Sequence, residues 1–203
     1  MNIVVMKKFF LIIGILALSL GSASAQDNMN LPGFHDLSIS AGYGSNMQFI
    51  DSYTKIISGY PSYEAKNFKF FPTVNAEYGY RINKRWAIGA VLSFQVADSH
   101  VLNDGLDNTK ARDTWYSLMP QARYFWYTTK NMNVYSKAAV GLNARRNKYT
   151  NNNGIIEKFR DFNIAWQVSA IGFEYGNLVC GFAEAGFGTQ GFIVAGIRMK
   201  FAF

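Results

Sequence analysis

The chain has 203 residues, a formal net charge of +7, and only 16% charged residues beside 49% hydrophobic ones. Soluble domains carry about 25% charge, so charge is scarce here, and the length suits one domain. The lone cysteine, Cys180, excludes an intrachain disulfide and a cysteine-based metal site.

The chain opens with a secretory pattern. Lys7 and Lys8 form a basic start, Phe9 to Leu20 an apolar run, and Ala23-Ser24-Ala25 a small-x-small cleavage site. Residues 1–25 are therefore expected to be a cleaved signal peptide, with Met6 as the alternative start and 26–203 as the mature domain. The residue directly after the expected cleavage site is Gln26, not cysteine, which argues against a lipid anchor. No later stretch reaches the ~18 apolar residues of a transmembrane helix. An exported chain of this kind either stays soluble or enters a membrane as a closed barrel. Export also makes nucleic acid a poor partner and anionic lipopolysaccharide a more natural one.

From there the apolar residues recur with period two, the signature of strands. The first strand has Leu37, Ile39, Ala41 and Tyr43 on one face. The second runs from about Phe68 to Ile82, and Asn83 to Arg85 turn it into the third, Trp86 to Val96. A fourth covers Thr114 to Tyr127, and the short "TTKNM" leads to a fifth around Val134 to Leu142. The sixth starts near Phe162 and slips phase near Gly172, where a bulge fits. "GN" turns it into the seventh, Leu178 to Gly188, whose alternation is the least clear because Cys180 and Phe182 share parity with Glu184. "TQG" leads into the eighth, "GIRMKFAF".

The connections at about 45–67, 97–113 and 146–161 read as long loops, all at one end, with tight turns at the other. An even strand count, short turns and long loops at opposite ends describe an eight-stranded antiparallel up-and-down transmembrane β-barrel. The aromatics fall in two groups. Tyr80, Trp86, Tyr124, Trp126, Phe201 and Phe203 sit near the tight turns; Tyr43, Phe70, Phe94, Tyr116 and Phe162 sit near the long loops. Two such girdles suit the two faces of a bilayer. A secreted soluble barrel is the alternative, but its water-facing rows would carry many Lys and Glu, whereas these polar rows are mostly small and uncharged.

Charges of inward parity are Glu77, Arg123, Lys137, Glu184, Arg198 and Lys200. An eight-stranded interior is just wide enough for side chains to fill, so these ions are expected to pair across the lumen as a plug. Four positive groups against two negative ones leave an excess needing compensation. The same residues lining a narrow channel are the alternative.

For catalysis little is available. The histidines are His35 and His100. Adjacent strand residues point opposite ways, so Ser99 and His100 are poorly placed to act together. No metal-ligand cluster or phosphate loop is legible, and "GFGTQG" is a hairpin because no helix follows it. No cofactor is implied.

The "PQARYFWY" stretch, Pro120 to Tyr127, and the "GIRMKFAF" ending resemble the small outer-membrane β-barrels of the OmpA-transmembrane and OmpX type. The resemblance covers the chain from Gln26 onward. It implies location in the bacterial outer membrane, contact with its lipids and lipopolysaccharide, and insertion by the barrel-assembly machinery. Gly196, Met199, Phe201 and Phe203 would be the C-terminal assembly signal. It implies a non-enzymatic, envelope-stabilising protein whose surface loops, with Tyr53, Tyr60 and Tyr63, are available to an extracellular protein or ligand. A porin-like channel is the alternative, and lipid A modification lacks its His-x-Ser pattern here.

Overall fold

The computed structural model describes residues 32–46, 64–103, 107–150 and 156–202. The expected signal peptide over 1–25, the tyrosines Tyr53, Tyr60 and Tyr63, and Phe203 lie outside the described residues. Nine strand segments follow one another: β1 (His35–Tyr43), β2 (Glu64–Phe70), β3 (Thr73–Arg81), β4 (Trp86–Asn103), β5 (Asp107–Thr128), β6 (Met132–Thr150), β7 (Ile156–Gly176), β8 (Val179–Gly188) and β9 (Ile193–Phe201). All pairings are antiparallel. β1 lies between β3 and β9, β8 and β7 follow β9, and the ring closes through β6, β5 and β4 back to β3. β2 and β3 both pair with β4, one above the other, so they are two pieces of one wall. The expected second strand is thus longer and broken at Phe71-Pro72, where proline has no N–H to give the ladder. The result is a closed eight-walled barrel.

Its burial is inverted relative to a soluble fold. On β1, Asp36, Ser38 and Ser40 are buried while Leu37 and Ile39 are about half exposed. On β6 and β7, Leu142 and Ile164 are 65% and 70% exposed. Outward apolar rows and inward polar rows satisfy a barrel standing in lipid, and a one-residue slip in register would exchange them wholesale. No helix among the described residues is long and apolar enough to cross a membrane; the strands do so instead.

Aromatic rings mark two levels on the outside. At the tight-turn end, Trp86 packs edge-on against Tyr124 (4.9 Å), Tyr124 against Trp126 (4.7 Å), and His35 lies against Tyr80 (4.9 Å) and Phe201 (5.7 Å). At the opposite level, Phe94, Tyr116, Ala144 and Phe162 form one cross-strand row, and Phe187 joins Trp166 and Phe192. From Tyr116 to Trp126 is about 33 Å along the strand, or about 25 Å along the axis at the ~40° tilt usual for such barrels. That is the height of a lipid-facing band.

The main correction concerns the loops. The described parts of the stretches 97–113 and 146–161 are strand rather than loop: β4 and β5 pair as far as Asn103↔Asp107, and β6 and β7 as far as Thr150↔Ile156. These four strands have 18, 22, 19 and 21 residues, whereas β1, β3, β8 and β9 have only 9, 9, 10 and 9. Only β1, β8 and β9 are short walls, because β2 prolongs β3 along β4. Above the upper aromatic row neither face meets lipid, so the apolar alternation that marks a strand disappears although the hydrogen-bond ladder continues. The first connection is shorter than the expected 45–67, because β2 begins at Glu64. The sixth strand's irregularity falls between Ser169 and Ile171, just before Gly172.

Hydrogen exchange distinguishes hairpin from loop. Amides across 98–102 and 108–113 in the refolded protein are expected to exchange at least about a hundredfold more slowly than unstructured amides. Exchange at the unstructured rate would remove the strand extensions.

Candidate functional site

Inside the barrel, side chains from seven of the eight walls converge on a charged cluster. Arg198, from β9, is its hub and is fully buried. Its Nη1 donates to Glu174 Oε2 at 2.5 Å, and its Nη2 lies 3.3 Å from Glu77 Oε2 and 4.0 Å from Glu184 Oε1. Its Nε approaches Asp36 Oδ1 at 3.4 Å. Two rings flank the guanidinium, Phe182 at 4.3 Å and Tyr135 at 5.4 Å. Lys137, on the far wall, bridges Glu77 Oε1 (2.9 Å) and Glu184 Oε2 (2.5 Å). Arg123 donates to both Asp36 oxygens at 2.6 and 2.7 Å, and Lys200 pairs with Glu174.

Neutral donors use the remaining carboxylate lone pairs. Tyr135 OH donates to Glu184 Oε1 (2.7 Å), Ser169 Oγ to Glu184 Oε2 (2.8 Å) and Asn133 Nδ2 to Glu174 Oε1 (2.6 Å). Such saturation is the condition under which buried ions are tolerated, because an ion leaves water at a cost of several kcal/mol.

The structure brings all six charged residues named from parity into this cluster. Glu184 points inward together with Cys180 and Phe182, which fixes the register that the sequence left open. Three further charged groups join them: Asp36, Glu174 and Arg81. Asp36 and Glu174 supply the missing negative charge, so the central balance is four cations to four carboxylates rather than four to two. Both were readable: Asp36 shares parity with Ser38, and Glu174 lies between the outward Phe173 and Tyr175. Arg81 closes the tight-turn end, stacked 3.8 Å over Phe125 and donating to Lys84 O and Thr128 Oγ1.

The opposite end is closed by a device with no sequence signal. The β8–β9 connection, Thr189-Gln190-Gly191, turns into the lumen rather than out of it. Gln190 is fully buried; its Nε2 donates to Glu77 Oε1 at 2.8 Å, and its backbone N donates to Gln167 Oε1 at 2.9 Å. Gln167 in turn donates to Gly191 O at 3.1 Å. Gly188 and Gly191 hold φ of +138° and +126°, values that glycine alone adopts freely and that this inward fold requires. Val91, which is in register with Glu77, packs with Met119, Ala139 and Ala165 as a small apolar cluster.

The two histidines are remote from each other. His35 belongs to the aromatic row at the tight-turn end, with Nδ1 2.7 Å from Tyr78 OH. His100 lies near the far end of β4, in register with Lys110. Among the described residues no group of His, Cys, Asp and Glu is arranged to hold a metal. Cys180 is buried, its Sγ 3.3 Å from Asn177 O. Of the proposed terminal signal, Phe201 is buried beneath His35, and Gly196 and Met199 are part-exposed.

A family model described as outer membrane protein beta-barrel domain matches residues 13–177. Among solved structures, Ail, the attachment invasion locus protein of Yersinia pestis, in complex with the heparin analogue sucrose octasulfate, aligns at 13% identity with a TM-score of 0.44, over 82% of this chain and 95% of that one. A second Ail structure aligns at 13% identity with a TM-score of 0.42, over 84% and 96%. No curated protein matches.

Two substitutions probe the cluster. Lys137→Ala leaves Glu77 and Glu184 facing each other and is expected to cost about 3–5 kcal/mol of folding stability in urea titrations. Gly79→Ala would set a methyl group against Arg123 Nη2 and within 2.7 Å of the Asp36 carboxylate, with an expected loss of about 1–3 kcal/mol. Gly181→Ala, where nothing lies within 4 Å, is the neutral control.

Proposed function

The chain belongs to the outer membrane protein beta-barrel domain family and sits in the bacterial outer membrane, and from that premise we propose a non-enzymatic protein with a plugged lumen that stabilises the envelope and presents its hairpins outside. The observation that carries this reading is the cross-lumen cluster. Arg198, Lys137 and Arg123 tie β9, β6 and β5 to carboxylates on β1, β3, β7 and β8. An ion crossing the barrel would have to part these pairs, then pass Gln190 above them and Arg81 with Phe125 below.

The tall hairpins β4–β5 and β6–β7 stand on the outer side of the membrane, since the tight turns face the periplasm in such barrels. They support the interactive half of the proposal: an extracellular protein or surface ligand would meet them first. Two further assignments belong to the same reading. Residues 1–25 direct export and are removed, and Gly196, Met199, Phe201 and Phe203 guide assembly. The non-enzymatic reading rests on the sequence: Ser99 and His100 are adjacent on a strand and so point opposite ways, and the His-x-Ser pattern is absent.

Planar-bilayer recording of the refolded protein tests the plug. The expected outcome is folding, seen as heat-modifiable gel migration, without steady conductance. Reproducible single-channel steps in the unmodified protein would replace the plug with a pore. Conductance that appears only after Gln190→Gly, with stability nearly unchanged, would identify the inward turn as the tighter seal.

A further inference from the structure

The lumen holds one more cation than its central cluster balances. Arg123, Lys137, Arg198 and Lys200 are matched by Asp36, Glu77, Glu174 and Glu184, and Arg81 comes in addition. Arg81 is only 4% exposed, and no carboxylate among the described residues forms an ion pair with it. Its Nε and Nη2 donate to Asn83 O, Lys84 O and Thr128 Oγ1, all of them neutral, and its Nη1 makes no hydrogen bond. Arg123, 1% exposed, is also underused. It donates to Asp36 through Nη2 alone, and its Nε is buried without a partner. A buried guanidinium with unmet N–H groups is costly until an acceptor meets it.

Both side chains line one cavity at the tight-turn end of the barrel, about 250 Å³ in volume with its open mouth. Asp36 and Glu174 also reach it, but their oxygens are already held by Arg123, Arg198, Lys200 and Asn133. Three properties define what fits beside the two arginines. The excess is one charge, so a monoanion restores neutrality. Guanidinium forks match the plane of a carboxylate, which accepts two parallel N–H bonds. The buried rings of Phe34 and Phe125 line the same cavity and offer apolar surface to whatever carries the carboxylate. The volume falls below the roughly 300–1,000 Å³ of pockets for drug-sized ligands, which limits that substituent to a few carbons.

We propose that this mouth is a carboxylate-binding site, in which Arg81 and Arg123 hold the carboxylate of a small apolar acid and Phe34 and Phe125 flank its substituent. Because the tight turns face the periplasm, the acid arrives from that side, free or as the terminus of a peptide. The site goes beyond the plugged-lumen reading and does not require it.

The test follows backbone amides by NMR in the mature protein refolded into phosphatidylcholine nanodiscs, which leave both mouths accessible. The probes are propionate, N-acetyl-alanine, its uncharged C-terminal amide, inorganic phosphate and chloride, each titrated at matched ionic strength because salt screens such sites. Propionate and N-acetyl-alanine are expected to shift the amides of Gly33, Phe34, Arg81 and Thr128 saturably. Those of Gly188, Thr189 and Gly191, at the opposite end, should stay unmoved. The amide probe is expected to bind at least about tenfold more weakly than the acid, and Arg81→Gln to weaken the acid by a similar factor. Arg81→Lys, which keeps the charge and loses the fork, should fall between. Tighter binding of N-acetyl-alanine than of propionate supports the site with peptide termini as the source, and the reverse supports it with free acids. Equal affinity for acid and amide, or phosphate or chloride binding as tightly as propionate, would overturn the carboxylate assignment. Absence of saturable shifts at the tight-turn end would overturn the site. Should Arg81→Gln fail to refold, the comparison of acid with amide on the unmodified protein decides the matter alone. Planar-bilayer conductance reports on the plug independently, so each reading stands or falls on its own data.

Discussion

The structure depends on one constraint: an eight-stranded barrel in lipid has nowhere but its interior to put charge, and this interior is too narrow for water to hold those charges apart. Arg198 meets that constraint by contacting carboxylates from four different walls, two of which also bind Lys137 on the far side. Removing any one member leaves others buried and unbalanced, so the walls are locked to one another through their side chains as well as their ladders.

The same cluster specifies register. A slip of one residue on β9 would turn Arg198 and Lys200 out into lipid, where an arginine near the midplane costs about 2–4 kcal/mol, and would orphan the carboxylates left behind. Outward, Ile197 would move into a space shaped for a guanidinium between Phe182 and Tyr135. The inward fold of the β8–β9 turn extends this logic to the outer end. Gln190 reaches Glu77 and thereby ties the β8–β9 connection to the centre of the plug.

Height differences around the rim divide the molecule's labour. β8, β9 and β1 end near the upper aromatic level, whereas β4 to β7 continue as paired strands and β2 continues the β3 wall along β4. The continuing strands no longer face hydrocarbon, and on the face continuous with the lumen Arg145 pairs with Asp113 across β6 and β5.

Much of this was readable in the sequence. Strict alternation such as Leu37, Ile39, Ala41 against Ser38, Ser40 fixes both strand and face, because the pleat has period two and lipid demands one apolar row. The aromatic levels and the six inward charges follow from the same parity, and Asp36 and Glu174 were within its reach. Tertiary structure alone decided the rest. The stretches 97–113 and 146–161 look like loops because, outside the bilayer, no environment imposes alternation on a strand. Which carboxylate meets which cation depends on how strands far apart in the chain face each other across the lumen, and Gln190 entering it depends on the space those partners leave. Periodicity records the medium on each side of a wall; it carries no record of what stands across the barrel.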